Sequence, residues 1–75
     1  MKITMKQFED FERQFLFIKI NNPYYRLGQA FYNTFTEISN AMEADGDQGF
    51  AIANRLWNSN NREEVLKLID WYIIR

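Results

Sequence analysis

The side chains best suited to chemistry in this sequence are carboxylates. Glu43, Asp45 and Asp47 alternate along one short stretch. A calcium loop needs oxygen ligands at alternate positions, glycine at the sixth and a bidentate glutamate at the twelfth. Counted from Glu43, the sixth residue is Gln48 and the twelfth is Asn54; counted from Asp45, the twelfth is Leu56. Both registers fail, and the cluster reads as a solvated turn. Glycoside hydrolysis would need two carboxylates facing each other across a substrate. Here Glu9, Asp10, Glu12, Glu63, Glu64 and Asp70 fall on helix surfaces or helix starts. There is no cysteine and no histidine, which removes thiolate chemistry, disulfides, the commonest zinc ligand and the usual general base. The only serines are Ser39 and Ser59, and no glycine-rich loop is available for phosphate. The expectation is a protein that is not an enzyme, with no catalytic, cofactor-binding or metal-binding residue and no cofactor.

Aromatic residues carry the remaining signal, at 17% of the chain. The elements that position them are read from helical spacing. Thr4 caps a first helix and Gln7 completes a capping box. Phe8, Phe11, Phe15 and Ile18 then mark one buried face. Asn21-Asn22-Pro23 ends this helix, and Pro23 is placed to open the next with Asn22 as its cap. The second helix sets Tyr24, Leu27, Phe31, Phe35, Ile38 and Met42 on one face, with Arg26, Asn33, Glu37 and Asn40 on its polar side. Gly28 lies beside the apolar face. Glycine inside a helix costs roughly 0.5–1 kcal/mol relative to alanine, and close approach of another backbone is the ordinary compensation.

Residues 44–47 signal a turn. A short third helix buries Phe50, Ala53 and Trp57, with Ile52 and Leu56 nearby, and Asn58-Ser59-Asn60-Asn61 breaks it. Asn61 caps the last helix, where Glu63 and Glu64 suit the positive end of the helix dipole. Val65, Leu66, Ile69, Tyr72 and Ile73 form its apolar face, and it is expected to run nearly to Arg75. No segment alternates long enough to read as a strand. The expected fold is all-α, a small bundle of three or four helices in a single domain of residues 1–75.

Helix phase leaves several aromatics surplus to these faces. Phe17 points opposite the Phe8/Phe11/Phe15 face, with Ile20 well off it. Tyr25, Gln29 and Tyr32 make a side stripe on the second helix. Trp71 lies opposite the Val65/Ile69/Ile73 face, flanked by Ile74. Such surplus residues either wrap a small bundle on a second side or form an apolar interface patch, where Trp and Tyr dominate hot spots. On the second reading Phe17, Tyr25, Tyr32 and Trp71 are the candidate protein-binding residues.

Net charge is −1, with basic and acidic residues interspersed. No basic stripe of the kind that marks nucleic-acid binders is visible. No apolar run approaches the ~20 residues a membrane span needs, and the first residues lack a signal-peptide core. A soluble cytoplasmic protein is expected.

The run from Asn22 to Asn33, Asn-Pro-Tyr-Tyr-Arg-Leu-Gly-Gln-Ala-Phe-Tyr-Asn, resembles a motif in short proteins encoded by bacteriophages and prophage regions. In those chains an N-terminal helix precedes an Asn-Pro turn and an Arg-Leu-Gly-Gln-Ala-Phe helix. A Leu-Trp segment and an acidic C-terminal helix often follow, as Leu56-Trp57 and Glu63 to Tyr72 do here. The resemblance implies a phage origin, hence the host cytoplasm, and no chemistry. It implies a helical protein that binds another protein in host takeover, inhibition or assembly. The surplus aromatics and the limited core of so small a chain make a second copy of itself another candidate partner. The competing class is a transcriptional regulator that presents the last two helices as a helix-turn-helix-like pair to nucleic acid. Glu63 and Glu64 beside Arg62 would repel phosphates and count against it.

Overall fold

The computed structural model describes residues 2–74. Its elements run β1 (Ile3–Thr4), α1 (Met5–Asn21), α2 (Leu27–Thr34), α3 (Thr36–Ala44), α4 (Gly46–Asn58), α5 (Arg62–Asp70) and β2 (Ile73–Ile74). The all-α expectation holds in outline. The described residues form five helices rather than three or four, plus one two-residue strand pairing.

α1 begins as its sequence requires. The Thr4 hydroxyl accepts from the Gln7 amide at 3.1 Å, and the Gln7 side chain accepts from the Thr4 amide at 2.8 Å. Two orphan donors of the helix start are thereby satisfied. Phe8, Phe11 and Phe15 are buried. Phe11 meets Phe31 and Phe35 edge-on at 5.9 and 5.4 Å, the geometry that aromatic quadrupoles favour. Ile18 is exposed, so the buried face of α1 stops one turn earlier than its periodicity suggests.

Pro23 does not open the second helix. Residues 22–25 form a turn closed by the Tyr25 amide on the Asn22 carbonyl, and Tyr24 is 91% exposed. Arg26 is the N-cap of α2 and makes no side-chain cap, because a guanidinium has no acceptor for the first backbone N–H groups; its donors are used elsewhere. Nε and Nη2 both donate to the Trp57 carbonyl, at 3.1 and 2.7 Å. This cation sits at the carbonyl-rich end of α4, where the helix dipole favours positive charge. Arg26 is thus a tie between helices, not a solvated residue on a polar helix side.

The second predicted helix breaks at Phe35, whose φ and ψ are −98° and 71°. Thr34 and Thr36 flank the break, and both are weak helix formers. The break lets the Phe35 ring turn onto Phe31 and Phe11. It also deprives the Tyr32 carbonyl of its helical partner. The buried Ser39 hydroxyl donates to the Tyr32 and Phe35 carbonyls and supplies the replacement.

α4 is longer than expected and turned differently. It buries Gly49 and Leu56, with Ile52 and Ala53 half-buried, while Phe50 and Trp57 are exposed. The cause is backbone proximity. A Cβ on Gly28 would overlap the Leu56 carbonyl, lying 2.7 Å from its carbon. A Cβ on Gly49 would meet the Met42 carbonyl in the same way. Glycines at 28 and 49 let α4 lie directly on α2 and fold back tightly from α3. Gly46, at φ 71°, takes the left-handed conformation that this corner needs.

α5 is capped as predicted: the Asn61 side chain accepts from the Glu63 and Glu64 amides. It ends at Asp70, short of the expected limit near Arg75, which itself lies outside the described residues. Ile73 and Ile74 instead pair in parallel with Ile3 and Thr4, and the Ile3 amide donates to the Tyr72 carbonyl at 2.8 Å. Two residues are too few to show a period-two pattern, so this strand pair is invisible in the sequence.

Two stability predictions follow from this packing. Gly28→Leu should destabilise the fold by about 1–3 kcal/mol, since the obstructing atoms are backbone and cannot rotate away. An unchanged urea midpoint would show that α2 and α4 do not touch there. Ser39→Ala should cost about 1–3 kcal/mol by orphaning a buried carbonyl. Ser39→Thr, which keeps the hydroxyl, should lose less in the same melts if hydrogen bonding is the cause.

Candidate functional site

The four candidate residues divide into two kinds. Phe17 and Trp71 are 74% and 76% exposed. Tyr25 and Tyr32 are half-buried and pack against the core. Among the described residues no ring contact joins any two of the four.

Phe17 projects from the outer face of α1. Ile20, three residues on from Phe17, and Leu16, four residues before Ile20, are also exposed, so Ile20 shares a helix face with each of them. Together they make an apolar patch on the last two turns. Trp71 stands at the other end of the molecule's long helix. It follows α5 directly and precedes Tyr72, whose carbonyl holds Ile3 next to the start of α1. Phe17 is twelve residues beyond Met5, or about 18 Å along the axis at 1.5 Å per residue. Phe17 and Trp71 therefore belong to separate surfaces, and Trp71 has the exposed Ile74 nearby in sequence.

Tyr25 lies against the Phe15 ring at 6.1 Å, and its hydroxyl accepts from the Asn33 side chain at 3.4 Å. Its role is partly that of a lid on the aromatic core. Tyr32 sits edge-on to Trp57 at 5.7 Å, and its hydroxyl donates to the Glu43 carboxylate. Tyr32, Glu43, Phe50, Ala53, Asn54 and Trp57 line a shallow groove of about 430 Å³. Phe50 and Trp57 belong to this surface, although helical spacing alone assigns them to the core. Gly49 carried the missing signal. A glycine next to Phe50 marks the face that approaches another backbone, which turns Phe50 outward.

The polar groups here are structural in character. The Tyr32 pKa is raised, chiefly because its neutral hydroxyl donates a hydrogen bond to the Glu43 carboxylate, with burial and the nearby negative charge adding to it. The Tyr72 pKa is raised by burial and then by Asp45. Neither sits among groups that would make it a nucleophile. Among the described residues no cluster of three or more acidic, histidine or cysteine side chains could hold a metal ion. No helix among the described residues is long and apolar enough to cross a membrane.

The hydrogen bond between Tyr32 and Glu43 can be tested by titration. Raised tyrosine pKa values favour the neutral, folded form, so this contribution is present below the ordinary tyrosine pKa and is lost as pH rises through the raised one. Glu43→Gln should move the Tyr32 ionisation down towards the ordinary tyrosine value, read by ultraviolet titration against a Tyr32→Phe reference. No movement would mean that the carboxylate is not its acceptor in solution. In comparisons with protein-family models, curated proteins and solved structures, nothing matches this chain.

Proposed function

We propose that this chain is a small, non-enzymatic, phage-type protein that acts by binding another protein, in an inhibitory, host-takeover or assembly-accessory role. The observation that carries the reading is the set of large apolar side chains outside a core that is already filled. Phe31, Leu56 and Ile69 are fully buried, yet Phe17, Phe50 and Trp71 stand mostly in solvent. A small domain gains little from holding such side chains in water. Aromatic anchors of this type carry most of the energy in protein interfaces. The phage origin rests on the motif of residues 22–33 alone.

A regulator that binds nucleic acid is the second reading. It is favoured by the three-residue connection between α4 and α5, a length typical of helix-turn-helix units. Against it, Glu63 and Glu64 occupy the first turn of α5, the turn such a helix would present to DNA. A salt-dependent gel-shift assay separates the two classes, because phosphate binding weakens steeply as salt rises.

The surface prediction concerns Trp71 and Phe17, singly and together. Trp71→Glu and Phe17→Glu should each leave the circular dichroism spectrum helical. At least one should weaken self-association in sedimentation velocity or abolish capture of a partner from host lysate. If Trp71→Glu unfolds the chain, Trp71 is a core residue. If both variants fold and behave as the wild type does, these two residues are not the binding surface.

A further inference from the structure

We infer that the groove between the end of α1, the turn before α2 and the α4–α5 connection binds a short acidic segment of a partner protein. The inference rests on the protein-binding reading and names the chemistry of the partner. The groove has a volume of about 520 Å³, on the scale of sites that enclose a few side chains.

Its charge sets it apart from the rest of the molecule. Lys19, Arg26 and Arg62 line it, three of the nine basic residues; no carboxylate residue lines it, and the acidic groups beside it are Glu64, which accepts from the lining Ser59 at 3.3 Å, and Glu12 on Arg62. These cations come from three different elements. Two of them hold only neutral partners. The Lys19 ammonium donates to the Tyr25 carbonyl at 3.3 Å and lies 5.5 Å from the Phe15 ring centre. Arg26 donates to the Trp57 carbonyl. A carbonyl satisfies donors, and even the carbonyl end of α4 offsets only part of the Arg26 charge. Arg62 pairs with Glu12 at 3.0 Å, an exposed ion pair of about 0–1 kcal/mol that a competing carboxylate can enter.

The occupant follows from this layout. Arginine forks suit carboxylates and phosphates alike. Cations spread over three elements fit charges spaced along a segment better than one compact anion. A nucleic acid would bring many phosphates close to Glu63 and Glu64, which follow Arg62 directly. A short segment with a few carboxylates can meet Lys19 and Arg26 at the α1 side of the groove, away from Glu64 on Ser59 and Glu12 on Arg62, and so brings less of that repulsion than a chain of phosphates. The exposed Tyr24 ring at the rim offers an apolar surface for a side chain between those carboxylates.

The test uses nitrogen-15-labelled full-length protein and a blocked pentapeptide of sequence Glu-Glu-Phe-Glu-Glu at low salt. The expected result is saturable shifts of the Lys19, Tyr24, Arg26 and Arg62 amides, fading as salt rises. The Gln-Gln-Phe-Gln-Gln control should shift none of them. Lys19→Glu should weaken binding by about tenfold or more, equivalent to about 1.4 kcal/mol, with Lys19→Arg restoring it. Arg62→Gln provides an independent second variant, and circular dichroism verifies that each is folded. The proposal is overturned by an absence of shifts, by equal shifts with the amide control, or by unchanged affinity in both folded variants. Tighter binding of inorganic phosphate or of a single-stranded oligonucleotide also overturns it. Lysate capture keeps the two claims apart. A protein retained equally by wild type and Lys19→Glu overturns the groove and leaves protein binding standing. Salt-sensitive peptide binding with nothing captured supports the groove and counts against the broader reading.

Discussion

The contact between Gly28 and the Leu56 backbone governs the rest of this small fold. Helix axes are normally held apart by side chains at 8–10 Å. Here a missing side chain on α2 lets the α4 backbone come into direct contact. That approach fixes the rotation of α4 about its own axis. It places Leu56 fully inside and brings the Trp57 carbonyl within reach of Arg26. It also leaves Phe50 and Trp57 on the outer surface, where they form a groove with Tyr32. Gly49 applies the same device at the α3–α4 corner.

Each helix end leaves backbone donors or acceptors without intrahelical partners. Polar side chains supply several of these partners. Gln7 and Thr4 close the start of α1, Asn61 closes the start of α5, and Arg26 holds a carbonyl at the end of α4. Ser39 repairs the break between α2 and α3. Among the described residues no buried side-chain polar atom lacks a hydrogen-bond partner. The buried polar side chains are therefore committed to structure.

The exposed surfaces differ in character. The outer face of α1 and the region of Trp71 are apolar and lie at opposite ends of the same helix. The groove of Tyr32, Phe50 and Trp57 is concave and mostly apolar, with Glu43 at one wall. The groove at the end of α1 is cationic. A protein with a net charge of only −1 thus separates its charge by location, and electrostatic complementarity of this kind selects partners more than it adds raw affinity.

What the sequence determined by itself is local. The Thr4–Gln7 box, the Asn61 cap and the Phe8/Phe11/Phe15 face depend on residues three or four apart, and each is found where its spacing places it. The outward directions of Phe17 and Trp71 follow from the same phase argument. Gly28 was legible as a close-approach position, though not the backbone it would meet. Tertiary structure decided the remainder. The break at Phe35 depends on Phe11 and on the Ser39 hydroxyl, which helical periodicity does not encode. The Ile3–Ile73 pairing joins the two ends of the chain through backbone groups that every residue possesses. The cationic groove gathers residues from positions 19, 26 and 62, separated by turns and whole helices, so their proximity exists only once α4 has settled on Gly28.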